Sequence, residues 1–120
     1  MENKEYSKQL EERTKKFAIN IIKLSSLISY TAESKVIKNQ ITKSGTSIGA
    51  NYREANRSRS KADFANKIKI CEGEANETVY WLEIILEFSW IDNKSLMPGI
   101  KEANELLAIF TSIGKSLKSK

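Results

Sequence analysis

The chain has 120 residues, 40% of them hydrophobic and 29% charged, which suits one globular domain over residues 1–120 and excludes a disordered chain or two separate cores. The net charge is +5, no histidine is present, and Cys71 is the sole cysteine. These features favour anionic partners, remove the usual neutral-pH base and commonest metal ligand, and exclude an internal disulfide.

Nothing resembling an apolar signal core follows Met1, and no run of about 18 apolar residues occurs, so a cytoplasmic protein with no membrane association is expected. A single proline and five glycines leave few interruptions, and long helices follow. The first helix is expected from about Asn3 to Tyr30. Leu10, Thr14, Phe17, Ile21, Leu24 and Ile28 recur at alternating four- and three-residue steps and mark its buried face. On the opposite face, Glu11–Lys15 and Glu12–Lys16 make self-paired surface charges.

A second helix is expected after Thr31-Ala32-Glu33-Ser34, with Ser34 as its cap, and to continue to about Asn56. Ile37, Ile41, Ser44, Ile48, Asn51 and Ala55 keep the rhythm. Gly45 and Gly49, spaced i,i+4, read as close helix packing or a local bend. The polar corner Asn56-Arg57-Ser58-Arg59-Ser60 then breaks the pattern, and Ser60 with Asp63 resembles a capping box.

The third helix is expected from Lys61 to about Trp90, with Phe64, Ile68, Cys71, Ala75, Thr78, Leu82 and Ile85 as its seam. Cys71 sits in that seam as a small buried hydrophobe. Further along, Tyr80, Trp81, Ile84, Phe88 and Trp90 widen the apolar arc beyond the roughly 100° that one bundle core needs. These five are the expected oligomer interface. Asp92–Ser95 and Met97-Pro98-Gly99 form the next break, after which Ile100, Ala103, Leu107, Phe110 and Leu117 place a fourth helix in phase. The expected fold class is all-α: an antiparallel, up-and-down four-helix bundle that associates with itself.

Charge is unevenly distributed. Residues 35–69 carry nine basic and two acidic side chains, whereas residues 70–105 carry two basic and eight acidic. Such a split either docks one region on a polyanion or pairs the halves between helices or subunits. Arg53 and Arg57 share a helical face near the corner, and Arg59, Lys61 and Lys67 follow, with Lys43 upstream. The expected role of these six is contact with nucleic-acid phosphates, set against local pairing of Arg59 with Asp63 and of Arg53 with an acid of the third helix or a neighbour. Asn51, Glu54, Asn76 and Glu77 lie beside apolar seams and are expected to form a buried polar network that sets register.

Three segments carry a family resemblance. Ser47-Ile48-Gly49-Ala50-Asn51-Tyr52-Arg53-Glu54-Ala55 resembles the Ser-Ile-x-x-Asn-x-x-Glu-Gly element of the bacterial four helix bundle protein family. Arg59-Ser60-Lys61-Ala62-Asp63-Phe64 resembles its Arg-Ser-x-x-Asp/Glu-Phe, and Glu74–Glu83 resembles its Asn/Asp-Glu-x-x-x-x-Leu-Glu stretch. That family includes proteins encoded in intervening sequences of 23S rRNA genes and relatives of the accessory variability determinant of diversity-generating retroelements. The resemblance implies a homopentamer of four-helix protomers with a basic surface for RNA or DNA and, for retroelement members, docking to a reverse transcriptase. The chain departs from the pattern at Ala55, where the family places Gly, so a helix continuing to Asn56 is favoured over a tight turn.

An enzyme is not expected. No Glu-x-x-His site, Gly-rich phosphate loop or activated Ser/Cys dyad occurs, and Glu72 with Glu77 reads as acidic surface. No cofactor and no metal are expected. The leading expectation is a non-catalytic, oligomeric nucleic-acid-binding accessory protein; the alternative is an adaptor that docks to a partner enzyme without touching nucleic acid.

Overall fold

The computed structural model describes residues 3–118 as four helices: α1 (Lys4–Ser26), α2 (Ala32–Ala55), α3 (Lys61–Glu87) and α4 (Asn93–Lys118). No strand occurs among the described residues. Residues 27–31, 56–60 and 88–92 connect them, and linkers of five residues between helices this long bring each helix back antiparallel to the last. The contacts follow that course. Moving forward along α2, Gly45 meets Ile21 of α1 and Gly49 meets Thr14. On the other side of α2, Ser44 bonds to Thr78 and Glu54 to Lys67 of α3. Glu72 of α3 meets Thr111 of α4, and α4 closes the bundle against α1, where Glu102 meets Arg13. The molecule measures 46 × 23 × 21 Å.

Sequence rhythm located the helices, but local chemistry set their ends. In α1 the Asn3 side chain accepts the Tyr6 N–H at 2.7 Å. The helix ends at Ser26 rather than Tyr30, yet Ile28 beyond it stays buried because the turn folds it back under the core. The cap of α2 is Thr31 and not Ser34. Ser34 is the third helical residue and returns the bond, so the two hydroxyls form a reciprocal capping box at 2.9 and 2.8 Å. In α3 the Ser60 hydroxyl accepts the Asp63 N–H at 3.1 Å.

Two expectations about the second half fail. The third helix stops at Glu87, short of Trp90, because Ser89 takes a left-handed conformation at φ 53°. There the Trp90 N–H bonds back to Ile85 and the Ser89 N–H to Leu86, a Schellman closure. The fourth helix begins at Asn93 and runs through Met97-Pro98-Gly99 rather than after it. The Asp92 carboxylate accepts from both the N–H and the hydroxyl of Ser95, which starts the helix early enough that Pro98 forfeits one bond near its beginning. Gly99 serves packing: a Cβ there would lie 2.9 Å from Leu24 Cδ1.

The core is one continuous cluster that includes Phe17, Ile21, Ile48, Ile68, Leu82, Leu106 and Phe110. Tyr52, absent from the expected seam of α2, is fully buried and meets Phe110 edge-on with ring centroids 5.5 Å apart. Among the described residues no helix is long and apolar enough to cross a membrane.

Candidate nucleic-acid interface

The corner between α2 and α3 is built on two carboxylates. Glu11 of α1 accepts from Asn56 Nδ2 at 2.9 Å and lies 3.7 Å from Arg53 Nε, so it ties the end of α2 to α1. Glu54 receives Lys67 Nζ at 2.9 Å across the corner, and this bond holds the Lys67 ammonium above its usual pKa. Two of the six expected phosphate-contacting residues, Arg53 and Lys67, therefore have ion-pair partners at the corner. Arg53 meets an acid of α1 instead of α3, and Lys67 rather than Arg59 is the paired cation.

Arg57, Arg59 and Lys61 are exposed and have no carboxylate partner among the described residues; Asp63 forms no ion pair with Arg59. Lys43 stands apart. It precedes Arg53 by ten residues, about 15 Å along the helix at 1.5 Å per residue, and lies beside Glu74.

The fold adds cations that linear spacing left scattered. Antiparallel packing brings the start of α1 and the end of α4 to the same end of the bundle as the corner. Lys4 and Lys8 border a groove of about 390 Å³ against Asn56, Ser58 and Phe64. On the α4 side, Lys69, Lys115 and Lys118 surround a second groove of about 350 Å³. The outcome is a basic end rather than a basic corner. Lys4, Lys8, Lys69, Lys115 and Lys118 were not among the expected contacts, because nothing in the chain's local pattern says which termini share an end.

The expected polar network is a correction. Glu54 and Asn76 are exposed in the protomer; Asn51 donates to the Ser47 carbonyl of its own helix at 2.9 Å; Glu77 accepts from Trp81 Nε1 at 3.3 Å. These four make no common network. The buried side chain-to-side chain hydrogen bond between α2 and α3 is instead Thr78 Oγ1 to Ser44 Oγ at 2.9 Å, with both residues essentially inaccessible. Small hydroxyls fit a tightly packed seam where a carboxylate would be desolvated. Cys71 lies in the same seam, donates weakly to the Ile48 carbonyl, and burial pushes its thiol up to about 12, so it carries no thiolate near neutrality.

The apolar surplus of α3 divides. Trp81 and Trp90 are half-buried and pack against the protomer's own core, and Ile84 is half-buried. Tyr80 and Phe88 are exposed at 55% and 64%. Ile70, 42% exposed and on the same outer stripe, was not anticipated because it lies before the aromatic run. No group of three acidic or cysteine residues among those described is placed to hold a metal.

Together these features define a helical bundle protein with one strongly cationic end and an apolar outer stripe. The chain belongs to the 23S rRNA-intervening sequence protein family, whose model matches residues 7–112. It is similar to a crystal structure from Bacteroides thetaiotaomicron, described as a protein of unknown function from the S23 ribosomal protein family. The two are 37% identical; the match covers 88% of this chain and 97% of the other, with a TM-score of 0.80. No curated protein matches the chain.

Proposed function

We propose that this protein is a non-catalytic, self-associating accessory protein that binds the phosphates of RNA or DNA through its basic end. The observation that carries the reading is the state of Arg57, Arg59 and Lys61: exposed, adjacent and without carboxylate partners, while the nearby Glu11 and Glu54 are occupied by other donors. Unpaired arginines are suited to phosphate, since the guanidinium presents a planar fork of donors to two oxygens at once. Family membership supports a connection with ribosomal RNA genes. Repetition of this end around a cyclic assembly, such as the homopentamer, would multiply modest contacts into avidity.

The test is a fluorescence-anisotropy titration with labelled structured RNA and duplex DNA, at about 50 and about 200 mM salt. Several phosphate contacts require binding that weakens steeply, by orders of magnitude over that range. The variant Arg57→Gln, Arg59→Gln, Lys61→Gln should lose binding with its helical content intact. Equal binding by wild type and variant would remove the corner from the interface. Absence of binding at low salt would favour the second reading, an adaptor docking through exposed Tyr80 and Phe88 to a partner enzyme such as a reverse transcriptase.

A further inference from the structure

The groove between α3 and α4 has a chemistry that phosphate binding alone does not explain. Lys61, Ala65, Lys69 and Glu72 recur at i, i+4, i+8 and i+11 along α3, so one stripe runs from the corner into the groove. Across it stand Thr111, Gly114 and Lys118 of α4. Neither Lys69 nor Lys118 has a carboxylate partner among the described residues, although Glu72 shares the groove with both. Glu72 is held by a neutral donor instead: Thr111 Oγ1 bonds its Oε2 at 2.9 Å.

That bond leaves Glu72 Oε1 above Gly114, where a Cβ built on the glycine would meet only this oxygen, at 3.9 Å. An open acceptor thus shares the groove with the lysines. A ligand that satisfies the whole groove carries negative charge for the lysines and a hydrogen-bond donor for the carboxylate. Every ribonucleotide has both, a phosphate and a 2′-hydroxyl, and a deoxyribonucleotide lacks the second. Ala65 and Leu117 supply apolar surface for a base or sugar face. The volume, about 350 Å³, falls at the low end of the roughly 300–1,000 Å³ of small-ligand pockets and suits one nucleotide rather than a base pair.

We propose that the α3–α4 groove seats one unpaired ribonucleotide of an RNA strand, with phosphate against Lys69 and Lys118 and the 2′-hydroxyl donating to Glu72. This rests on the nucleic-acid reading above and specifies it: the corner grips backbone of any kind, and the groove selects unpaired RNA. A duplex is too wide to enter between two packed helices.

Anisotropy titrations of the full chain against a short unstructured RNA, the DNA strand of the same sequence and a blunt RNA duplex test it. Gly114→Leu fills the groove without changing charge, and Ala65→Leu fills it from the opposite wall should the first variant lose helical content. The expected result is preference for the RNA strand in wild type and about tenfold weaker strand binding in the variant, with duplex binding unchanged. Unchanged RNA-strand binding in the variant, or equal wild-type affinity for RNA and DNA strands, overturns the groove assignment and leaves the proposed function standing. Wild-type protein that binds none of the three probes overturns both.

Discussion

Gly45 of α2 and Ile21 of α1 are so close that a Cβ on the glycine would lie 2.8 Å from Ile21 Cγ2. One helical turn on, a Cβ at Gly49 would lie 3.0 Å from Thr14 Oγ1 and 3.3 Å from the Thr14 carbonyl carbon. The spacing of these glycines reflects close approach of two backbones, so the packing reading holds. Ile21 is fully buried and β-branched, with little freedom to turn aside. Gly45→Ala should therefore destabilise by about 1–3 kcal/mol despite the better helix propensity of alanine. Gly73, which has nothing within 4 Å of a built Cβ, is the control: Gly73→Ala should stabilise by about 0.5–1 kcal/mol. Urea unfolding of both variants reads the two signs, and equal shifts would refute the packing argument.

The α1–α4 seam is the thinnest of the four, and Arg13 clasps it. Its guanidinium donates from Nε and Nη2 to the two oxygens of Glu102 and from Nη2 to Glu105, all at 2.7 Å. The hydrogen bond to Glu102 is the largest cause of an already high pKa rising further, so the cation persists at any working pH. The partners are a third to a half exposed, which limits the worth of the bridge. Arg13→Met should cost about 1 kcal/mol at low salt, less at high salt. Amide exchange should quicken along α4 facing α1; an identical exchange pattern would assign that seam to apolar packing alone.

Ser89 occupies the left-handed position of the α3 Schellman closure at φ 53°, a site glycine fills without steric cost. Ser89→Gly should stabilise the protein by about 1 kcal/mol. A thermal melt showing no gain would mean that entropy lost from the unfolded chain offsets the relief.

Partial burial, with Glu77 adding repulsion and Lys43 opposing both, raises the Glu74 carboxyl above its ordinary pKa. A carboxyl raised on folding favours the native state fully below its unfolded-chain pKa, and this contribution is lost as pH rises through the folded value. Glu74→Gln should accordingly raise Tm near neutral pH and leave it unchanged at about pH 4. A gain of equal size at both pH values would point to something other than charge.

The proposed self-association is best probed at side chains that the folded chain leaves mostly exposed. Trp81 packs on its own core and shares a hydrogen bond with Glu77, so an Asp there risks unfolding the protomer. Tyr80→Glu with Phe88→Glu removes rings that are 55% and 64% exposed, together with their ring contacts to Trp81 and Trp90, so retained helical content is the control. Self-association through this face predicts that wild type sediments as a species larger than 13.6 kDa and the double variant as a folded 13.6 kDa chain. An unchanged assembly mass would place the interface elsewhere.

Four helices, the seams of α1 and α3 and the buried place of Cys71 were legible in the chain because helical burial repeats every three to four residues, and that period survives in the linear order. In α2 Tyr52 and in α4 Leu96 and Leu106 are buried where the expected seams named others. Helix ends were less legible. Thr31 and Ser34 are both capping residues, and only the backbone geometry selected Thr31; Pro98 read as a break until the Asp92–Ser95 cap placed it one turn inside α4.

For the candidate site, the sequence supplied Arg57, Arg59 and Lys61, since their crowding is local. The tertiary structure decided which charges are spent. Glu11 lies 42 positions before Arg53, and Glu54 lies 13 before Lys67, so neither pair can be seen in a window of one helix. It decided likewise that Lys8 and Lys118 share an end with the corner, and that Asn76 faces solvent while Thr78, two residues later, is buried. Periodicity assigns a residue to a face of its own helix; the partners across that face are set by how the helices pack, which the chain encodes only through the sum of all its contacts.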